Sequence, residues 1–127
     1  MKNSNPIVWF EIYVDDLSRA QQFYEQVLKI SLTEIPSPIE DDSQMLIFPS
    51  DENGVGASGA LCKMKGMKAG ANSTLVYFGS EDCAVEEARI IKAGGKVFTS
   101  KQSLGEHGFI ILAEDTEGNM FGVHSLK

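Results

Sequence analysis

A glutamate stands inside a strand-like run near the start of the chain. Glu11 lies within residues 7–14, which are otherwise apolar and include the aromatic side chains of Trp9, Phe10 and Tyr13. A carboxylate in such a run is either turned to water or placed for chemistry, because a buried charge is costly unless it is paired. A buried Glu11 would act as a general acid or base, or as a structural residue that hydrogen-bonds a neighbour.

The other side chains with chemical potential are two histidines and two cysteines. His107 lies between glycines in "GEHG", and His124 lies in the last apolar run. With Glu11 they are ligand types for a divalent metal, but no local spacing supports that site. Cys62 and Cys83 lack C-x-x-C spacing, which favours two small buried apolar residues over zinc or a disulfide. Dinucleotide, P-loop, serine-elbow and HExxH motifs are absent.

The first half of the chain predicts a strand, a helix and three more strands. Residues 6–14 are rich in β-branched and aromatic residues, which is typical of a strand. Asp15-Asp16 then supplies a helix N-cap, and apolar residues recur at helical spacing up to Leu28. Short strands are predicted over residues 31–34, 44–48 and 58–64.

The second half repeats this order after a linker. The lysine- and glycine-rich residues 65–72 predict the linker, and residues 74–78 predict a strand. Asp82 is expected to cap a helix that ends at Gly94-Gly95. Further strands are predicted over residues 96–99, 109–113 and 120–125, with a loop over residues 100–108.

An offset of 66 residues aligns the two halves in pattern, although few residues are identical. It superposes Val14-Asp15-Asp16-Leu17 on Ser80-Glu81-Asp82-Cys83. Each half then has the order βαβββ. We predict a single α+β domain of two tandem modules, at about 6–64 and 73–126, that form a curved mixed sheet around a cleft with the helices outside.

Composition and charge exclude several classes of partner. The 127 residues are 43% hydrophobic and carry a net charge of -7, with lysines scattered except at Lys63, Lys65 and Lys68. Binding to nucleic acid or to an anionic membrane needs a concentrated basic face, so neither is expected. The N-terminus lacks the apolar core of a signal peptide, which predicts a cytoplasmic protein.

Three segments resemble the vicinal oxygen chelate superfamily, which includes glyoxalase I, bleomycin resistance proteins and extradiol dioxygenases. They are "VDDLSRAQQFYEQVL", "AGGKV" and "EDTEGNMFGVHS". Within the superfamily, "WFEI", "GEHGFI" and "GVHS" are similar to small bacterial proteins named as glyoxalase/bleomycin resistance protein/dioxygenase, most of which have no known reaction. The resemblance supports the two-module fold and implies pairing into a homodimer.

The resemblance also implies where a metal would be bound. Metal-dependent members hold a divalent ion with His and Glu side chains from the first and last strand of each module. Those positions fall here on Trp9, Leu75 and Gly122, with the fourth near Ala60 or Leu61, and none of these side chains can bind a metal. We therefore predict no cofactor, although a non-standard metal site stays open as an alternative.

Alternate residues of a strand point to the same face, and this period predicts which residues would face the cleft that the resemblance implies. If the Trp9 and Gly122 positions face inward, so do Glu11, Tyr13, Met120 and His124. Glu11 and His124 are then acid/base candidates, with His124 the first candidate partner of Glu11. The predicted ligand-binding residues are Trp9, Tyr13, His107, Met120 and Gly122.

Two functions of different classes follow from this set of residues. The leading hypothesis is a metal-independent protein that binds a small organic molecule in the cleft, as bleomycin resistance proteins do. The alternative is a lyase, isomerase or dioxygenase-like enzyme that acts on a small oxygenated substrate through Glu11 and His124. Each residue also has a structural alternative: Glu11 as a satisfied polar group, His124 as a core or rim residue, and His107 as an exposed turn residue.

Overall fold

The computed structural model describes residues 5–37, 43–70, 74–116 and 118–127. It divides into two compact units. Trp9–Thr74 form the N-terminal unit, and Leu75–Lys127 together with residues 5–8 form the C-terminal unit. Residues 71 and 72 of the predicted linker lie outside the described residues.

The N-terminal unit has a four-stranded mixed sheet. Its elements are β1 (Ile7–Tyr13), α1 (Leu17–Leu28), β2 (Thr33–Ile35), β3 (Gln44–Ile47) and β4 (Ser58–Lys63). The strand order is β2-β3-β4-β1, in which β1 runs parallel to β4 and the other pairs are antiparallel. The parallel pair aligns Trp9 with Ser58 at one end and Tyr13 with Cys62 at the other.

Helix α1 covers one face of this sheet. It begins after Asp16, whose side chain accepts a hydrogen bond from the Arg19 amide at 3.0 Å, as expected of an N-cap. It ends at Lys29, which has the left-handed φ of 55°. The core between α1 and the sheet is formed by apolar side chains from the helix, the strands and the segments next to them: Phe10, Ile12, Val14, Leu17, Ala20, Tyr24, Ile30, Leu32, Leu46, Phe48 and Leu61. Because Phe10 and Ile12 of β1 point to α1, the alternate residues of β1 point to the opposite face.

The C-terminal unit repeats the arrangement. Its elements are β5 (Thr74–Gly79), α2 (Cys83–Lys92), β6 (Lys96–Ser103), a 3-10 turn (Gly105–His107), β7 (Phe109–Glu114) and β8 (Met120–Ser125). The order is β5-β8-β7-β6, with β5 parallel to β8 and the remaining pairs antiparallel.

Helix α2 is fixed to its sheet by polar and apolar contacts. Asp82 caps it by accepting from the Ala84 amide at 3.0 Å, and the Cys83 amide donates to the buried Ser125 Oγ at 3.0 Å. Cys83, Ile111 and Val123 form the core beneath it, together with Ile90, Phe109 and Phe121. The odd-numbered residues of β8 therefore face α2, and the even-numbered residues face away from it.

The α+β class and the βαβββ order of each half are confirmed. Both helix caps are also confirmed, at Asp16 and Asp82. The loop predicted over residues 100–108 is wrong in its first part, because β6 continues to Ser103. The Lys101 amide donates to Glu87 Oε1 at 2.8 Å and its Nζ lies 2.9 Å from Asp82 Oδ1, so α2 holds the polar end of this strand in place.

Within the described residues, no helix is both long and apolar enough to cross a membrane.

Candidate functional site

Three side chains of β1 form a hydrogen-bonded set on the face away from α1. The Trp9 indole Nε1 donates to Glu11 Oε2 at 3.1 Å, and the Tyr13 hydroxyl donates to Glu11 Oε1 at 2.7 Å. Trp9 and Glu11 are half-buried, and Tyr13 is buried. Both donors are neutral groups, and together they fix the two carboxylate oxygens. We call Trp9, Glu11 and Tyr13 the β1 triad.

The neighbouring strand provides small buried residues beside the triad. Ala60 is aligned with Glu11 and Cys62 with Tyr13. Leu61 packs into the core under α1, so Ala60 and Cys62 point to the face of the triad. Burial, and then the negative charge of Glu11, raise the pKa of the Cys62 thiol far above its usual range. The charge of Glu11 therefore acts across this face of the sheet.

On β8, Gly122 lies directly beneath an aromatic ring. A Cβ built on Gly122 would lie 2.4 Å from Cδ2 and from Cε2 of Tyr77, so only glycine lets this ring lie flat on the strand. Met120, Gly122 and His124 share the face away from α2, as the period of two predicted. Tyr77 was missed in the sequence, where it is one aromatic residue in an apolar strand and nothing indicates the contact with Gly122.

The two histidines of the chain meet at one hydrogen bond. His124 Nε2 lies 2.6 Å from the backbone carbonyl oxygen of His107. A carbonyl oxygen can only accept, so Nε2 carries the proton, and in the neutral ring Nδ1 is then the acceptor. The His107 side chain is exposed and lies 3.8 Å from Glu106 Oε1, so the residue meets His124 through its backbone.

The loop that carries His107 is closely held. Gly105 and Gly108 have positive φ values of 68° and 94°, and the Leu104 amide donates to the Gly108 carbonyl at 2.7 Å. A Cβ on Gly108 would lie 2.3 Å from the Ser125 carbonyl oxygen. The loop therefore packs against the end of β8 and fixes the carbonyl that orients His124.

The structure thus brings the predicted residues together in two groups. Trp9, Glu11 and Tyr13 form one group, and His107 with His124 forms the other. The structural alternative for Glu11, a polar group bonded to a hydroxyl neighbour, describes its contact with Tyr13 correctly. The partnership of Glu11 with His124 stays a prediction, because the two residues belong to different units.

The residues at the implied metal positions are packed or hydrogen-bonded within their own strands and neighbours. Trp9 donates to Glu11, Leu75 is buried in β5, Gly122 underlies Tyr77, and Ala60 rather than Leu61 shares the face of the triad. In the part of the chain that the structure describes, no three His, Cys, Asp or Glu residues are grouped to hold a metal ion. Metal independence itself stays a prediction.

A polar groove of about 520 Å³, which the sequence did not indicate, lies beside the start of α1. Its walls are Asp15, Asp16, Leu17, Ser18, Gln21, Glu34, Gln44, Leu46 and Lys63. Two of its carboxylates have structural roles, since Asp16 caps α1 and Asp15 accepts from the Ala69 amide at 3.1 Å. The groove is therefore not assigned a function.

Comparison with known proteins identifies a family that the start of the chain resembles. Residues 6–33 match the family model described as bleomycin resistance protein-like N-terminal, a segment that contains β1 and α1. No curated protein matches the chain significantly.

Solved structures match nearly the whole chain at low identity. A variant of Streptomyces coelicolor methylmalonyl-CoA epimerase in complex with 2-nitronate-propionyl-CoA is 15% identical, with a TM-score of 0.67 over 95% of this chain and 96% of that chain. The methylmalonyl-CoA epimerase from Mycobacterium tuberculosis is 15% identical, with a TM-score of 0.67 over 100% and 93%. A hypothetical protein from Bacillus halodurans C-125 is 12% identical, with a TM-score of 0.72 over 98% and 96%.

The chain has the fold of the vicinal oxygen chelate superfamily. The fold predicted from the sequence is confirmed by the structural likeness along the chain, and the family model matches the N-terminal segment alone. At these identities, the likeness to the solved structures establishes the fold and leaves the reaction open.

Proposed function

We propose that this protein binds a small, partly apolar organic molecule on the β1 triad, without a metal ion. The observation that carries the proposal is the geometry of Glu11. Its two oxygens are fixed by Trp9 and Tyr13 at 3.1 and 2.7 Å on a half-buried strand face. A preoriented charge between two aromatic rings is a typical ligand-binding arrangement, since apolar walls supply affinity and a few polar groups set orientation.

The comparisons support this proposal. The family model that covers β1 takes its name from bleomycin resistance proteins, and the Streptomyces epimerase was solved with a small-molecule ligand. By analogy, the matching segment of this chain would also face a ligand. The side chain at the implied metal position, Trp9, here serves as a hydrogen-bond donor to Glu11.

Metal independence is tested by elemental analysis of the purified protein and calorimetric titration with Ni²⁺, Zn²⁺, Mn²⁺ and Fe²⁺. We expect no stoichiometric metal and no saturable heat. Binding of one divalent ion per chain would overturn this part of the proposal.

Ligand binding is tested by a thermal-shift screen of small aromatic molecules. A compound at 100 times its dissociation constant should stabilise the protein by about 2.7 kcal/mol. We expect Glu11→Gln to weaken binding of a hit about tenfold or more, because a charged hydrogen-bond partner is worth more than a neutral one. Glu52→Gln, in an exposed loop, is the matched control and should leave binding unchanged. Equal binding by both variants would place the ligand elsewhere and refute the proposal.

A second candidate function is proton transfer, which the orientation of His124 favours. The bond from Nε2 to the His107 carbonyl leaves Nδ1 of the neutral ring as a possible base. Because two of the solved structures are epimerases of a CoA ester, propionyl-CoA in D₂O is the probe. Enzyme-dependent loss of its α-proton NMR signal that His124→Asn abolishes would support this candidate, and an unchanged signal would remove it.

We also propose a homodimer and a cytoplasmic location. The dimer rests on the resemblance, since related modules pair across a two-fold axis. Light scattering on a sizing column should give twice the chain mass of 13.9 kDa, and a monomer at micromolar concentration would contradict the proposal. The cytoplasmic location agrees with two free, buried cysteines, and cell fractionation tests it.

A further inference from the structure

We infer that Lys101 is a positioning residue for His124, the candidate base, and that it acts through the loop that carries the His107 carbonyl. The inference rests on the proposed proton transfer by His124, because the orientation of Nδ1 matters for chemistry only if this nitrogen accepts a proton. Its basis is a continuous series of contacts within the C-terminal unit, from the start of α2 to the imidazole ring.

Lys101 is attached to three different parts of the C-terminal unit. Its ammonium Nζ donates to Asp82 Oδ1 at 2.9 Å, and the same oxygen accepts the capping bond from the Ala84 amide. Its backbone amide donates to Glu87 Oε1 at 2.8 Å. The Nζ also lies 4.7 Å from the centroid of the Phe109 ring, within the range of a cation–π interaction. Lys101 therefore ties β6 to the first two turns of α2 and to the first residue of β7.

The segment between β6 and β7 is a closed loop whose two ends meet at Lys101. The Leu104 amide donates to the Gly108 carbonyl at 2.7 Å, which joins the first residue of the loop to the last. Lys101 holds the β6 end through its own backbone and the β7 end through the Phe109 ring. Because the loop is closed, a shift at its base moves the His107 carbonyl, which accepts from the imidazole Nε2.

The backbone of His124 is held by the same part of α2. The Ser80 amide, two residues before the helix cap Asp82, donates to the His124 carbonyl at 2.8 Å. The strand that carries the imidazole and the carbonyl that orients it are therefore both fixed to the start of α2, the first directly and the second through Asp82 and Lys101. Lys101 thus sets where the acceptor lies relative to the ring.

The test follows exchange of the His124 Nε2–H proton by NMR, since a hydrogen-bonded group exchanges with water only when its bond opens and the chain has only two histidines. We expect Lys101→Met, which keeps an apolar stem and removes the ammonium, to speed this exchange about threefold to tenfold. Lys96→Met, at the exposed opposite end of β6, is the matched control and should leave the rate unchanged.

The backbone amides of β7 and β8 separate positioning from a loss of overall stability. In Lys101→Met their exchange should change less than that of the ring proton, because their strands stay paired. An equal increase in all of these rates would mean that Lys101 only stabilises the unit, and an unchanged rate for the ring proton would mean that it does not reach His124. Either result would overturn the inference.

A measurement on the unaltered chain does not depend on folding of the variant. If Lys101, the loop and the ring form one cooperative unit, the Lys101 amide, the Leu104 amide and the ring proton should open with the same equilibrium constant. A Lys101 amide that opens about tenfold more often than the ring proton would show that this contact breaks without releasing His124, and would overturn the inference.

Neither measurement uses a substrate, so failure of the inference is distinguishable from failure of proton transfer. If His124→Asn abolishes loss of the propionyl-CoA α-proton signal, Lys101→Met should slow that loss and Lys96→Met should not. If the signal is never lost, the proposed proton transfer fails and the positioning role fails with it.

Discussion

The contact between Gly122 and Tyr77 gives the most direct test of how the even-numbered face of β8 is packed. Gly122→Ala adds one methyl group at a point 2.4 Å from two carbons of the Tyr77 ring. Tyr77 is 5% exposed, so the ring cannot move outward without disturbing its neighbours. Overpacking of this kind costs about 1–3 kcal/mol, and we expect a loss of that size in the free energy of unfolding.

A double-mutant cycle separates the clash from other effects. Tyr77→Ala alone should cost about 3–5 kcal/mol, as expected for removing a buried aromatic ring. In that background Gly122→Ala should be neutral or stabilising by up to about 1 kcal/mol, since alanine restricts the unfolded chain more than glycine does. The coupling between the two positions should therefore be about 1–3 kcal/mol.

Urea unfolding followed by far-ultraviolet circular dichroism measures all four chains of the cycle, because this signal reports on both units. Two results would refute the reasoning. One is a cost of less than about 0.5 kcal/mol for Gly122→Ala, which is within the range of ordinary surface substitutions. The other is an equal cost in the presence and absence of the Tyr77 ring, which would show that the ring is not the obstacle.

Two further predictions concern titrating groups. Burial and the charge of Glu11 raise the pKa of the Cys62 thiol, and Cys83 is also buried. We therefore expect neither thiol to react with a disulfide reagent at pH 8 until urea unfolds the chain. Fast labelling of the native protein would contradict this prediction. Hydrogen bonds from Lys101 and the Ala84 amide lower the pKa of Asp82 in the folded protein below 3.8. The ionised Asp82 should therefore stabilise the fold fully at pH values above the pKa that it has in the unfolded chain. This stabilisation should be lost as the pH falls through the pKa that Asp82 has in the folded protein. Stability curves of the unaltered chain and Asp82→Asn should thus converge in acid, and a constant gap would argue against this cause.

Local patterns explain why most of the architecture could be read from the sequence. Asp16 and Asp82 stand directly before apolar residues at helical spacing, and each caps the helix that follows. The error at the end of β6 has a non-local cause. Residues 100–103 are mostly polar, and their strand is held by Glu87 and Asp82 of α2, which no local signal connects to Lys101.

Some features of the candidate site could also be predicted from local pattern, and others depend on contacts between distant residues. The strand period alone put Trp9, Glu11 and Tyr13 on one face, and it put Met120, Gly122 and His124 on one face. It did not reveal that the Tyr77 ring lies on Gly122 or that the His107 carbonyl accepts from His124, because these contacts join residues that are 45 and 17 positions apart.

The sequence by itself determined the order of elements, the helix caps and the faces of the strands, because each depends on residues within a few positions of one another. Only the tertiary structure placed donor atoms at the two oxygens of Glu11. The strand period predicted an inward carboxylate and left open a satisfied structural group and a reactive one, since these differ in the placement of donor atoms and not in residue type. Folding of β1 against β4 places Ala60 and Cys62 beside a carboxylate that Trp9 and Tyr13 hold at both oxygens.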